Sequence, residues 1–181
     1  MSLDTSFMVN SAGSTEPVPE DLPRPIETAE LMPAQGIQCG ALNLAFPYTW
    51  ARAIVDDFSV TPVPNAPAWL TGAANVEGEI VPVFDLASWI AADTPGAVPA
   101  ELGAERARLL VGGQEGDRAA IIFSGSARMV RYASDDARAL TGLPLPERLR
   151  DVVLAMSETT PPHWVLNARR LFDTLADELV S

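Results

Sequence analysis

Residues 61–86 read TPVPNAPAWLTGAANVEGEIVPVFDL, and they predict more of the fold than any other part of the chain. The opening of this segment is rich in proline, which removes backbone donors and favours a rigid extended loop. Two apolar runs, 74–76 and 79–84, then flank Glu77-Gly78. Because glycine readily adopts the positive φ of a tight turn, the pattern predicts a β-hairpin that turns at Gly78.

The sequence on both sides of this hairpin has a similar pattern of short apolar runs separated by turn-forming residues. Short apolar or alternating runs, bounded by glycine, proline or charged residues, predict further strands at 42–46, 53–55, 108–111, 119–123, 127–132, 152–156 and 164–166. Asp85 is placed to cap a short helix, and Asn167 to cap a C-terminal helix with one apolar face. Many short strands and few short helices predict an all-β protein.

The strands fall into two groups that are separated by the segment Thr94–Ala104. This segment contains Thr94-Pro95-Gly96, which breaks the chain after the first predicted helix. The spacing therefore predicts two small barrels packed together, one formed by about residues 37–95 and the other by residues 105–181 with the C-terminal helix.

Residues 1–36 have a different composition from the rest of the chain. They contain several prolines, and their charged residues are acidic apart from Arg24. Such a segment offers little apolar surface to offset the entropy lost on ordering. We therefore expect a disordered, acidic, proline-rich tail over residues 1–36, serving as a tether or as a proline-rich peptide ligand.

The charge and composition of the chain exclude several classes of function. The formal net charge is −12, and all the basic residues are arginines. Nucleic-acid backbones and anionic lipid surfaces attract basic proteins, so neither is an expected partner. A single cysteine excludes an internal disulfide framework, and no apolar run reaches the roughly 20 residues needed to span a bilayer. These observations predict a cytoplasmic protein without direct membrane insertion.

The sequence shows no pattern typical of a catalytic, metal or cofactor site. His163 is the sole histidine, and neither Cys39 nor a serine lies beside it in the sequence to form a nucleophile–base pair. The carboxylate pairs Asp56-Asp57 and Asp135-Asp136 lie in predicted loops, where acidic residues usually serve as solvated turns and caps. We therefore expect no enzyme activity and no cofactor.

Four tryptophans are the remaining candidates for function. Tryptophan is enriched among the residues that dominate binding energy at protein interfaces, but it is also a common core residue. The core interpretation is favoured for Trp89 and Trp164. For Trp69, between the proline loop and the hairpin, a core position and a surface contact both remain open.

The ordered combination in residues 61–86 resembles the CheW family of chemotaxis adaptors. In that family a Pro-Val-Pro loop leads into Gly-x-x-Asn-hydrophobic-Arg-Gly, followed by Val-Pro-Val-hydrophobic-Asp-Leu. This chain has Pro62-Val63-Pro64, then Gly72 through Gly78, then Val81 through Leu86. The resemblance extends over about residues 37–181. The tail and the proline-rich loop are most similar to those of the PilI branch, which serves twitching motility.

The resemblance implies a fold, a function and a set of partners. The implied fold is two five-stranded barrels of SH3 or OB type. The implied function is a non-enzymatic adaptor, without cofactor, that couples methyl-accepting chemoreceptors to the regulatory domain of a CheA-type histidine kinase, at receptor arrays on the cytoplasmic side of the membrane. In this sequence the candidate contact residues are Val63, Pro64, Trp69, Asn75, Val76, Glu77 and Gly78.

The chain also departs from the family pattern. Glu77 stands where the family has the arginine before Gly78, and Ala53 stands where a glutamate is usual. Ser124 and Asn167 replace aspartates. These changes leave open an alternative interpretation, in which the chain is a diverged protein-binding module that has exchanged its partners. Two other classes also stay open: a small-barrel hydrolase that uses carboxylates with His163, and a single-strand nucleic-acid binder, which the acidic charge disfavours.

Overall fold

The computed structural model describes residues 30–93, 106–133 and 144–181. In chain order the elements are β1 (Leu31–Cys39), β2 (Leu42–Pro47), β3 (Ala51–Val55), β4 (Val60–Thr61), β5 (Leu70–Val76), β6 (Glu79–Phe84), α1 (Leu86–Ala91), β7 (Arg108–Gly112), β8 (Ala119–Phe123), β9 (Ala127–Ala133), a 3₁₀ turn (Glu147–Leu149), β10 (Val153–Met156), β11 (Trp164–Leu166) and α2 (Ala168–Val180). The prediction of an all-β protein with a short helix and a C-terminal helix is confirmed.

One sheet has five strands in the order β10-β11-β2-β1-β9. It closes on itself because Tyr132 of β9 pairs with Ser157, which directly follows β10. The backbone N–H of Glu158 also donates to the carbonyl of Arg131 at 3.0 Å. The interior is filled by a small apolar cluster of Ala34, Ala45, Val130, Tyr132, Ala155 and Val165. We call this unit the five-stranded barrel.

The other sheet has six strands in the order β3-β7-β8-β6-β5-β4, of which β4 has only two residues. Its interior cluster contains Ala74, Val76, Val81, Val83, Leu109, Val111, Ala120 and Ile122. Val55 of β3 and Val60 of β4 both pack on this cluster although they lie on opposite edge strands. The sheet therefore curls around its own core, and we call it the six-stranded barrel.

The predicted division of the strands between the two barrels is wrong. We expected residues 37–95 to form one barrel and residues 105–181 the other, but both barrels take strands from both halves of the chain. β1 and β2 join β9, β10 and β11, while β7 and β8 complete the sheet of β3–β6. Four strand pairs join the two halves of the chain: the parallel pairs β11–β2 and β6–β8 and the antiparallel pairs β1–β9 and β3–β7. Turn spacing predicts where strands are, but long-range pairing depends on burial in three dimensions.

The predicted boundary between tail and domain is also wrong by six residues. β1 begins at Leu31, so residues 31–36 belong to the barrel. The inward positions there are Ala34, with a single methyl group, and Gly36, with no side chain; both suit a narrow interior but give a weak hydrophobic signal in the sequence. Pro33 is tolerated because the pairing of β1 with β2 starts only at Ala34. Residues 1–29 of the predicted tail and the predicted linker Thr94–Ala104 lie outside the described residues.

A third apolar cluster fills the space between the barrels and holds the helices. It combines residues of the five-stranded barrel, such as Ile37 and Leu44, with residues of the six-stranded barrel, such as Ile121. The helix α1 begins at its N-cap Asp85, which accepts a hydrogen bond from the Ser88 N–H at 3.1 Å, as predicted. The helix α2 buries Leu171 and Leu175 in the same cluster.

The N-cap of α2 is Asn167, whose side-chain oxygen accepts from the Arg170 N–H at 3.1 Å, again as predicted. An asparagine at this position satisfies a backbone donor that the first helical turn leaves free. Among the described residues, no helix combines the length and apolar character required to cross a bilayer.

Candidate functional site

The predicted hairpin is formed by β5 and β6, and its turn is Glu77-Gly78. The last cross-strand pair is Val76 with Glu79, and both turn residues have positive φ, 53° at Glu77 and 88° at Gly78. Two successive residues with positive φ define the tight turn that suits the twist of a hairpin. The Asn75 side-chain oxygen accepts from the Gly78 N–H at 2.9 Å and holds the turn. Glu77 thus occupies a conformation that non-glycine residues seldom adopt.

The hairpin turn is fastened to the neighbouring turn between β7 and β8 by Arg118. Its guanidinium contacts the Glu77 carboxylate at 3.2 Å and the Glu79 carboxylate at 3.3 Å. The Gly116 N–H donates to the other Glu79 oxygen at 2.9 Å. Between the two turns lies an open depression of about 550 Å³, lined by these residues with Gly78 and Glu115. The hairpin tip is therefore held in one position by charge-assisted hydrogen bonds.

The proline-rich loop lies beside the hairpin, between β4 and β5. Val63 is 45% exposed, and Pro64 next to it is exposed. The loop is anchored where β5 passes β4, because Gly72 lies so close to β4 that a Cβ atom there would be 2.3 Å from the Thr61 carbonyl oxygen. The loop and the hairpin tip are both exposed, and the loop joins β5 at Leu70, the end of the strand opposite the hairpin turn.

The structure divides the seven predicted contact residues into two groups. Val63, Pro64, Asn75, Glu77 and Gly78 are exposed. Trp69 and Val76 are buried, each with 6% of its surface exposed, so the expectation of direct surface contact for these two is wrong.

The physical reason is the direction of each side chain. Val76 points into the interior of the six-stranded barrel. Trp69 packs in the central cluster, with its ring 6.2 Å from that of Phe84. Trp89 is likewise a core residue, 1% exposed, while Trp164 packs against the central cluster and is partly buried.

A groove of about 590 Å³ lies between α2 and the six-stranded barrel. Its floor is aromatic: the Phe172 ring lies 5.1 Å from the Trp50 ring and 5.6 Å from the Phe84 ring. Charged residues of both signs stand on its walls, namely Arg118, Asp117, Arg169 and Asp173. Arg118 lines both this groove and the depression at the hairpin tip, so the two concave regions adjoin at this residue.

The apolar floor extends from the groove toward the hairpin tip along β6. Residues two apart on a strand share a face, so Phe84, Pro82 and Ile80 form one row. Exposure rises along this row, from 6% at Phe84 to 69% at Ile80. Large exposed apolar residues in a continuous row are typical of a protein interaction surface. This row was not predicted from the sequence, although its period of two is visible in Glu79–Phe84.

His163 and Cys39 are not arranged for catalysis. His163 is 2% exposed, and its ring lies against the Gly36 backbone, with Nδ1 3.2 Å from the Pro161 carbonyl oxygen. The charged residue near this ring is Arg128, a cation, whereas a catalytic histidine is usually oriented by a carboxylate. Cys39 lies in the central cluster, where burial, with a smaller contribution from the Asp85 charge, raises its pKa far above the ordinary range. Within the described parts of the chain, no group of three or more metal-ligating side chains converges.

His163 gives a prediction about pH. Burial, and then the positive charge of Arg128, lower its pKa below the ordinary value of 6.5. As the pH falls through 6.5, His163 therefore binds a proton in the unfolded chain before it does so in the folded protein. The free energy of unfolding should decrease from that pH downward. We expect His163→Asn to lose less stability than the parent protein between about pH 7 and about pH 5.5, measured by urea unfolding. An identical loss in both proteins would contradict a buried neutral imidazole.

Comparisons with known proteins agree with this architecture. The family model described as the CheW-like domain matches residues 35–173. The scaffolding protein TtCheW from Thermoanaerobacter tengcongensis has a similar structure, with a TM-score of 0.59 and 16% sequence identity, over 80% of this chain and 94% of that chain. At this identity the likeness concerns the fold. A search of curated protein sequences found no match.

Proposed function

The chain belongs to the CheW-like domain family, and we propose that it is a non-enzymatic adaptor that couples chemoreceptors to a CheA-type histidine kinase. The observation that carries the proposal is the hairpin tip, which Arg118 holds in place, together with the adjoining aromatic groove. An adaptor needs preorganised surfaces, since ordering a surface on binding costs affinity.

The kinase contact is proposed at the loop and the hairpin tip. Val63 and Pro64 supply exposed apolar surface, and Asn75, Glu77 and Gly78 supply a fixed turn. Trp69 and Val76 support this surface from below rather than contacting the partner. Rigid, partly apolar surfaces with polar neighbours are typical of protein interfaces.

The receptor contact is proposed at the groove. A helical partner binds a groove through apolar side chains that repeat on one face. The aromatic floor of Trp50, Phe84 and Phe172 suits such a face. Arg169 and Asp173 of α2 border the groove and can pair with charged residues that flank the apolar face. Both partners would then meet on adjacent surfaces that share Arg118.

The cellular setting is also part of the proposal. Its place is at receptor arrays on the cytoplasmic side of the membrane. The style of the proline-rich loop favours a system of the PilI type, in which the output is twitching motility. Deletion of the gene followed by separate assays of surface twitching and swimming would distinguish the two outputs.

The kinase contact gives a direct prediction. We expect Val63→Glu to lower the affinity of the full-length chain for the kinase of the same cell at least about tenfold, because a carboxylate would be desolvated in the interface. The measurement is a binding titration with the purified full-length kinase. Val180→Glu is the matched control, since Val180 is an exposed valine at the end of α2, and we expect the affinity to remain unchanged.

The same titration tests the function as a whole. An adaptor should also raise receptor control of kinase autophosphorylation in a reconstituted mixture of receptor, kinase and chain. If the chain binds neither the receptor nor the kinase, the adaptor proposal is wrong. Binding of another protein at the same surface would instead support a diverged module with exchanged partners.

A further inference from the structure

Glu77 carries the charge opposite to the arginine expected at this turn, and it is held in place by Arg118. We propose that the hairpin tip docks onto a basic side chain, arginine or lysine, of the kinase regulatory domain, and that Arg118 is the residue that positions Glu77 for this contact. The inference rests on the adaptor function proposed above and specifies the chemistry of its partner surface.

The geometry leaves Glu77 able to bind a second cation. Its side chain is 79% exposed, and Oε2 takes the contact with Arg118. Among the described residues, no hydrogen bond reaches Oε1. A carboxylate has acceptor sites on both oxygens and can hold two donors at once. Glu77 therefore presents one fixed oxygen to Arg118 and one open oxygen outward, at the tip of the hairpin.

The charge around the tip excludes an acidic partner. Arg118 pairs with Glu77 and Glu79, and Glu115 lines the same depression, so the three acidic residues outnumber the one arginine and the surface remains negative after its internal pairing. Placing a carboxylate of the partner against this surface would juxtapose like charges, which strongly disfavours association. A basic side chain of the partner is instead attracted by this negative charge. The same attraction guides the two proteins together during encounter.

An apolar neighbour makes the tip a docking surface rather than only a charged turn. Ile80 is 69% exposed and lies across the strand pair from Asn75, next to the turn. Apolar contacts of this kind exclude water around a charged pair and strengthen it. The complementary partner surface is therefore a basic side chain beside an apolar patch.

Arg118 acts through Glu77 and not by direct contact. Its planar guanidinium binds two carboxylates from different positions of the turn, and its side chain is 27% exposed. Lysine, which has a flexible stem and a point charge, cannot reproduce this fixed fork. Removal of Arg118 would leave the negative charge at the tip but would release the Glu77 side chain.

The test measures association and dissociation rates of the full-length chain with the full-length kinase of the same cell. We expect Glu77→Arg to weaken binding at least about tenfold and Glu77→Gln to flatten the salt dependence. Arg118→Gln should speed dissociation without slowing association, because the tip stays negative but loses its order. Glu158→Arg, an exposed acid of the five-stranded barrel, is the charge-matched control and should leave both rates unchanged.

Each outcome is decisive. Equal or tighter kinase binding by Glu77→Arg overturns the inference, as does an equal loss with Glu158→Arg. If Arg118→Gln lowers the thermal midpoint and slows association, Arg118 has only a structural role and the positioning claim is wrong. If the parent chain binds the kinase but the loss in Glu77→Arg affects only receptor binding, the assigned partner is wrong. No kinase binding by the parent chain removes the proposed function itself.

Discussion

Replacing Trp89 with alanine is expected to lower the free energy of unfolding by about 3–5 kcal/mol, which is typical of a large buried aromatic residue. Trp89 is 1% exposed and lies in the cluster between the barrels. Its indole N–H donates to both oxygens of Glu178 at 3.2 Å, and the Arg148 guanidinium stacks 5.3 Å above the ring. Arg148 itself pairs with Glu178 and with Asp93. The ring thus joins α1, α2 and the 3₁₀ turn.

The measurement is urea unfolding followed by circular dichroism. Trp89→Phe is the control, since phenylalanine keeps an aromatic ring and most of the apolar volume but loses the N–H donor and part of the ring. Because Arg148 continues to bind Glu178, this variant should lose about 1–2 kcal/mol. If Trp89→Ala costs no more than Trp89→Phe, the cluster between the barrels is not tightly packed around this ring.

Replacing Gly72 with alanine is expected to destabilise the protein by about 3–4 kcal/mol through strain and overpacking. Its φ is 150°, in a region that side chains rarely adopt, and an added Cβ would meet the Thr61 carbonyl oxygen at 2.3 Å. Neither atom can move without separating β4 from β5. We expect the loop that follows β4 to shift, so that kinase binding also falls.

Gly116→Ala is the matched control for this prediction. Gly116 also has a positive φ, 83°, but no heavy atom lies within 4 Å of the Cβ position. This variant should lose only the backbone strain, about 1 kcal/mol. Thermal unfolding and kinase titration of both variants are the measurements. Equal losses in the two variants would show that strain alone, and not the contact with β4, explains the effect at Gly72.

Much of the local structure could be predicted from the sequence. The hairpin at Glu77-Gly78 and the caps at Asp85 and Asn167 are present as expected. Each depends on side chains and backbone groups within a few residues of one another, so a short window of sequence contains the cause. The beginning of β1 was missed because alanine and glycine fill its inward positions, and their burial is not visible as a hydrophobic pattern.

The candidate site was predicted in part. Val63, Pro64 and the hairpin tip are exposed, but Trp69 turns inward into the central cluster. Arg118 could not be predicted, since it lies 41 residues from Glu77 and reaches it only when β8 pairs beside β6. The groove was missed for the same reason, because its floor joins Trp50 and Phe172 from distant parts of the chain.

The sequence by itself determined the all-β class, the positions of turns and helix caps, and the loop-and-hairpin motif that identifies the family. Only the tertiary structure decided which strands share a barrel, which tryptophans are buried, and which cation holds Glu77. The physical reason is the range of the interactions. Turns and caps are set by the dihedral angles and donors of adjacent residues, whereas backbone hydrogen bonds can pair any two strands, and the choice among them is made by the total apolar surface that each arrangement buries.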